Sequence, residues 1–217
     1  MNIAIFGANG NIGQVVVREA LDRGHQVTAA LRSTYKMPRM GEGLTTVQCD
    51  VADAAGVAAA VEGHDAVVSS IGGFGHDNPR IAIESAAPIV EGMTSAGVRR
   101  LVIVGTAGTL LGEDGTQRMD GAGFPAFLRD EATSHRELQE YLTTLDRDAL
   151  EWTYFSPPVI IEPGARTGSY ALGGDHLMVN AAGESYISNE DYAVALLDEL
   201  EQPRHVGRRF TAVGERG

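Results

Sequence analysis

A chain of 217 residues, 43% of them hydrophobic, can bury one substantial core, and its length fits one domain better than two. Asp and Glu number 29 against 17 Lys and Arg, a formal net charge of −12. That balance excludes nucleic acid and anionic membrane surfaces as expected partners, because both are held by clustered cations.

The single cysteine, Cys49, leaves no intramolecular disulfide and no thiolate cluster for a structural metal, as expected of a reducing cytoplasm. No run approaches the roughly 18 apolar residues needed to cross a bilayer. Asn2 to Phe6 (NIAIF) already reads as a strand, not as the basic start of a signal segment, so a cytoplasmic fold beginning at Met1 is expected.

After that strand, Ile12, Val15, Val16 and Ala20 recur with helical period, and Gly24 closes the pattern beyond Leu21. Apolar runs at Gln26 to Leu31, Leu44 to Gln48, Ala66 to Ser69 and Leu101 to Val104 follow, with helical stretches between them. Continuous hydrophobicity suits strands buried on both faces of a parallel sheet. Pro125 is expected to open a helix with Leu138, Tyr141, Leu142 and Leu145 on one face, and Glu151 to Phe155 reads as a sixth strand. Residues 157–185 are rich in Gly and Pro and weakly periodic. Ser188, with Asp191 three residues on, is a capping signal for a helix through Leu200, and Val206 to Val213 reads as a last strand. The alternation predicts a single α/β domain over 1–217, Rossmann-type and doubly wound, with a mainly parallel sheet.

GANGNIG, residues 7–13, lies between the first strand and the first helix. Glycines at that junction serve a dinucleotide: Gly7 for the sharp turn, Gly10 for close approach of phosphate, Gly13 for contact between helix and strand. At the end of the second strand an acid suits a ribose 2′-hydroxyl and a cation a 2′-phosphate. The chain offers Arg32 and Ser33, so NADP(H) is preferred, with NAD(H) as the other possibility; a solvated strand end is the alternative reading of Arg32, and an idle side chain that of Lys36. Asp50 and Val51 follow the third strand and Ile71, Gly72 and Gly73 the fourth, where such folds bind ligands; Asp50 has capping of the next helix, near Asp53, as its other reading.

Taken with CDVAD at 49–53, VGTAGTLLG at 104–112, EWTYFSPPVIIEPGARTGSY at 151–170 and GESYISNEDYAVALLDELE at 183–201, the chain resembles the atypical branch of the short-chain dehydrogenase/reductase superfamily. This NAD(P)H-binding branch includes proteins described as NADH-flavin reductases. The resemblance implies a nicotinamide nucleotide with Gly7, Asn9, Gly10, Asn11 and Ile12 around its pyrophosphate. It further implies Arg32 and Ser33 at the adenosine phosphate, Asp50 and Val51 at the adenine, and Ser156 and Pro157 beside the nicotinamide, with residues 157–185 on the substrate side.

Most short-chain dehydrogenases use a tyrosine and a lysine one helical turn apart, the ammonium making the phenol a usable acid or base. The only lysine here is Lys36, directly after Tyr35, so that pair is absent. His135 on the corresponding helix is a candidate proton donor, and Thr106 a candidate hydroxyl for the substrate oxygen; packing for His135 and turn capping for Thr106 and Thr109 are the structural alternatives. The absence fits hydride transfer to an electron-poor acceptor such as a flavin or quinone, which takes its proton from water. Arg166 is a candidate anchor for an anionic group and His176 a more distant one, while Glu190 and Asp191 are expected to complement a helix dipole. The alternatives are a non-catalytic NAD(P)-binding redox sensor and, third, a nucleotide-dependent isomerase or dehydratase. No metal site is expected.

Overall fold

The computed structural model describes residues 1–33, 41–72 and 77–217. Lys36, Tyr35 and Gly73, all considered above, lie outside the described residues.

The strands are β1 (Asn2–Phe6), β2 (Gln26–Leu31), β3 (Leu44–Gln48), β4 (Ala66–Ser69), β5 (Arg100–Val104) and β6 (Glu151–Ser156). They continue with β7 (Ile160–Glu162), β8 (Tyr170–Gly173), β9 (Tyr186–Ser188) and β10 (Arg208–Gly214). Eight form one sheet in the order β3-β2-β1-β4-β5-β6-β10-β8, parallel throughout except where β8 runs antiparallel to β10. β7 and β9 pair separately. In β1, Ile5 sits opposite Ala29 of β2 on one side and Val68 of β4 on the other. The chain therefore changes direction of travel across the sheet at β1 and β4, the switch point where open α/β sheets leave a crevice beyond the strand ends.

Helices cover both faces, as continuous apolar strands require. On one face lie α1 (Asn11–Asp22) and α6 (Asn189–Glu201), whose Val16, Val17, Leu196 and Leu197 are buried against the sheet. Phe155 stacks between Tyr192 and Phe210, at centroid separations of 4.0 and 4.1 Å. On the other face, α2 (Ala54–Val61), α3 (Ile81–Glu84), α4 (Ala86–Ala96) and α5 (Arg129–Thr143) contribute Val57, Ile89, Met93, Leu138 and Leu142. Each fully buried aliphatic side chain contributes about 1.5–3 kcal/mol.

One expectation needs correction. Pro125 does not open an α-helix: a 3₁₀ turn at Ala126–Leu128 intervenes and α5 begins at Arg129. Residues 157–185, weakly periodic in sequence, carry β7 and β8. β8 is one of the two edge strands and its burial is poor, so its sequence shows no two-sided apolar run.

Candidate functional site

The β1–α1 turn is shaped by its glycines. Gly7 has φ +73°, and a Cβ there would lie 2.7 Å from the Ser70 carbonyl oxygen at the end of β4. A Cβ at Gly13 would overlap the Gly7 carbonyl oxygen and lie 2.8 Å from Ala8 Cα, so α1 can enter this close only with glycine there. Gly10 differs: its φ is −77° and the one atom near a Cβ is Gly7 O at 3.3 Å.

Gly10 is also the N-cap of α1 and supplies no capping side chain, and the first turn holds no acid. The first helical bond is Gln14 N–H to Gly10 O, at 2.9 Å. Among the described residues no backbone acceptor takes the amides of Asn11, Ile12 or Gly13. Three amides at the positive end of a helix, with no anion of the protein's own beside them, suit a pyrophosphate.

Two adjoining cavities open over the switch point, both bordered by Gly10, Ser70, Ile71 and Gly72. The first, about 380 Å³, also meets Gly7, Asn9, Arg32, Asp50 and Val51. The second, about 610 Å³, meets Asn11, Ile12, Thr106, His135 and Pro157. The donor set and the glycine-walled cradle therefore fit a dinucleotide lying across β1 and β4.

Not every residue singled out from sequence reaches this cleft. Gly13 packs inside the turn, and Ser33 is half-buried but borders neither cavity. Ser156 is wholly buried and does not line the cleft; its Oγ and that of Thr211, its register partner on β10, are both without a hydrogen-bond partner. Arg166 does not anchor a ligand here: its Nε and Nη2 donate to the buried Glu19 carboxylate at 2.7 and 2.8 Å, alongside Arg23 at 2.7 Å. His176 is exposed and its Nδ1 meets Gly112 O, away from both cavities.

Asp50 and Asp53 divide the two roles considered for Asp50. Asp53 caps α2 by accepting from Ala55 N–H at 3.1 Å, and Asp50 accepts from Ala52 N–H at 3.0 Å beside the first cavity. Ser188 Oγ accepts from Asp191 N–H, the expected cap of α6. Glu190 and Asp191 do more than face the dipole: they accept from the backbone of Gly164, Thr167 and Gly168, tying down the segment after β7.

Thr106 both caps and faces the cleft. Its Oγ1 accepts from Gly108 N–H at 3.2 Å, leaving its own O–H to donate. His135 is 1% exposed, and its Nδ1 lies 2.9 Å from the Tyr154 hydroxyl while its Nε2 lies 3.2 Å from Glu131 Oε1. Tyr154 is fully buried, and burial, with the Glu131 charge adding to it, pushes its phenol pKa far above the ordinary tyrosine value. The phenol therefore keeps its proton, and the direction of its bond with Nδ1 follows the imidazole tautomer, while Nε2 stands beside the Glu131 carboxylate.

Tyr154 and Glu131 were not legible as site residues. Tyr154 sits mid-strand in an apolar run, where a tyrosine reads as core, and only the packing of α5 over β6 brings His135 to it. Gly105 permits the approach, since a Cβ there would lie 2.5 Å from Tyr154 Cζ.

A parallel sheet of order 3-2-1-4-5-6, a glycine turn into α1 and a cleft over the switch point define a Rossmann-type dinucleotide-binding protein. The chain belongs to the NAD(P)H-binding family, whose model matches residues 7–203. This agrees with the resemblance to the atypical short-chain dehydrogenase/reductase branch. A protein from Burkholderia pseudomallei, provisionally named as exported, is 41% identical with a TM-score of 0.89, covering 99% of this chain and 100% of its own. A protein from Bacteroides thetaiotaomicron, provisionally named an epimerase, is 35% identical with a TM-score of 0.89, covering 100% and 99%. A third, from Streptococcus pneumoniae and provisionally named an NADH-flavin reductase, is 30% identical with a TM-score of 0.82, covering 99% and 100%. Among the described residues no helix is long and apolar enough to cross a membrane.

Proposed function

We propose that the protein is an NAD(P)H-dependent oxidoreductase, preferring NADP(H), that reduces a small electron-poor acceptor of the flavin or quinone class. The observation that carries the reading is the continuity of the two cavities through Gly10, Ser70, Ile71 and Gly72, which puts a second, larger and mainly apolar space directly beyond the glycine turn. The name of the Streptococcus relative supports the flavin class.

The amides of Asn11 and Ile12 hold the pyrophosphate, with Asn9 and Gly10 beside them. Arg32 serves the adenosine 2′-phosphate at the end of β2, and Asp50 and Val51 the adenine. Ile71, Gly72 and Pro157 flank the nicotinamide. When bound, the reduced dinucleotide supplies the hydride. The chain's own work is alignment and exclusion of water, for which Ile12, Val104, Phe124 and Leu128 give apolar walls. The leading residues of the substrate-side segment, 157–163, form another wall of the second cavity.

His135 Nε2 lies beside Glu131, and both residues border the second cavity. This pair, oriented by Tyr154, gives the acceptor a protein proton source that the missing tyrosine–lysine pair does not. The Bacteroides name favours isomerisation instead, with Glu131 as the base; solvent deuterium entering an unreduced substrate would mark that reaction.

The test is to mix purified protein and NADPH with a panel of flavins and quinones and follow loss of the reduced-nicotinamide absorbance. Acceleration over the protein-free rate is expected. Background rates across the panel, with NADPH demonstrably bound, would count against the reading.

A further inference from the structure

Arg118 opens the 3₁₀ turn Arg118–Asp120 and borders the second cavity, where its guanidinium carbon lies 5.2 Å from the centroid of the Phe124 ring. It is half-buried, and desolvation pushes its pKa below the ordinary arginine value with no carboxylate offsetting it. The described residues include every Asp and Glu of the chain, and the acids nearby are engaged elsewhere. Glu131 faces His135, Asp120 takes Arg136 at 2.6 Å and Glu162 takes Arg216 at 2.6 Å. The other arginines around this cleft are bonded to the protein: Arg129 donates to Met119 O, and Arg209 to Asp175 and Thr109 O.

A guanidinium drawn partly out of water without a counter-charge is costly, and one aromatic face offsets only part of that cost. Here the cation stands at the edge of a cavity whose walls, Phe124, Leu128, Pro158 and Ile160, suit a flat ring.

We infer that Arg118 is the anion-recognising subsite of the acceptor cavity, so that the preferred acceptor is an aromatic ring bearing a phosphate, sulfonate or carboxylate. The inference rests on the reading of this cavity as the acceptor site. It replaces Arg166, which Glu19 occupies, and explains how a chain of net charge −12 accepts an anionic substrate: one local cation with a fixed geometry outweighs a screened overall charge.

The experiment compares matched pairs differing in one anionic group: FMN against riboflavin, and naphthoquinone-2-sulfonate against naphthoquinone. Binding to the NADP⁺-loaded protein is read by ligand fluorescence or calorimetry, and turnover with NADPH separately. A charge-assisted hydrogen bond predicts roughly tenfold to a hundredfold tighter binding of the charged member. R118Q should abolish that ratio while leaving the uncharged members within about twofold, and R118K should retain part of it.

A third arm needs no acceptor: phenyl phosphate titrated into the protein should move the Arg118 Nε–Hε NMR resonance, assigned by its loss in R118Q. Equal binding of charged and uncharged members, a ratio unchanged in R118Q, or an unmoved resonance overturns the inference. If phenyl phosphate moves Arg118 while no flavin or quinone is reduced, the anion subsite stands and the acceptor reading falls.

Discussion

Gly10→Ala and Gly13→Ala separate the two duties of the opening turn. At Gly13 the new methyl would overlap the Gly7 carbonyl oxygen and sit 2.8 Å from Ala8 Cα, and both obstacles are backbone. Neither can swing aside as a side chain would, so α1 must shift away from β1, repacking Val16 and Val17, both fully buried. Such overpacking costs about 3 kcal/mol, the upper end of the usual range, because rigid atoms are met. In a domain of this size that is a fall in Tm of roughly 6–12 °C. At Gly10 φ is already −77°, and the one atom met, Gly7 O at 3.3 Å, need give only by a few tenths of an ångström. Loss of a glycine N-cap costs about 1 kcal/mol, and the reduced freedom of the unfolded chain returns about half of it. The methyl stands instead where the pyrophosphate approaches. Urea denaturation and calorimetric NADPH titration of both variants decide the matter. Gly10→Ala should keep its stability within about 1 kcal/mol and lose at least about tenfold in affinity, the worth of one hydrogen bond to a charged group. Gly10→Ala binding NADPH as the parent does would refute the placement of the phosphates, and an unchanged urea midpoint for Gly13→Ala would refute the steric account.

Tyr154→Phe leaves His135 Nδ1 buried without its hydrogen-bond partner, which should cost about 1–3 kcal/mol in chemical denaturation and shift the ring-nitrogen resonances of His135. Glu199→Ala strands the buried Arg100 guanidinium and frees the amides of Arg204 and His205, so a loss of about 3–5 kcal/mol is expected by urea melt. Hydrogen bonds from Arg166, with those from Arg23, hold the buried Glu19 carboxyl below its ordinary value of 4.5, despite the opposing effect of burial. Its folded pKa being depressed, its contribution is complete above that ordinary value and lost as the pH falls through the folded one. Glu19→Gln should therefore flatten the acid limb of a stability–pH profile, and Arg166→Ala should weaken stability without weakening FMN binding.

The order of strand and helix, the glycine turn and the identity of most residues at the strand ends were legible because each is a local matter. Parallel strands buried on both faces must be apolar throughout, and a sharp turn into a helix must use glycine, so residues 2–24 announce themselves. β8 escaped because four residues, YALG, set between Gly168 and Gly174 are too short and too glycine-flanked to show a pattern. Pro125 misled because a proline fixes its own φ, which a 3₁₀ turn accepts as readily as the first turn of an α-helix.

Contacts between distant segments were beyond a linear reading. Arg166 looks free in a loop of small residues until α1 brings Glu19 across 147 positions. Tyr154 looks like core until α5 lays His135 on its hydroxyl. Arg118 resembles any other arginine of the chain until the fold assigns nearby carboxylates to other partners and leaves it facing an aromatic ring. The sequence alone determined which backbone shapes were possible, because sterics and hydrophobic period act over a few residues. Which charges are satisfied, which side chains border the cleft and which ring meets which hydroxyl were decided only by tertiary structure, because electrostatic pairing depends on distance in space.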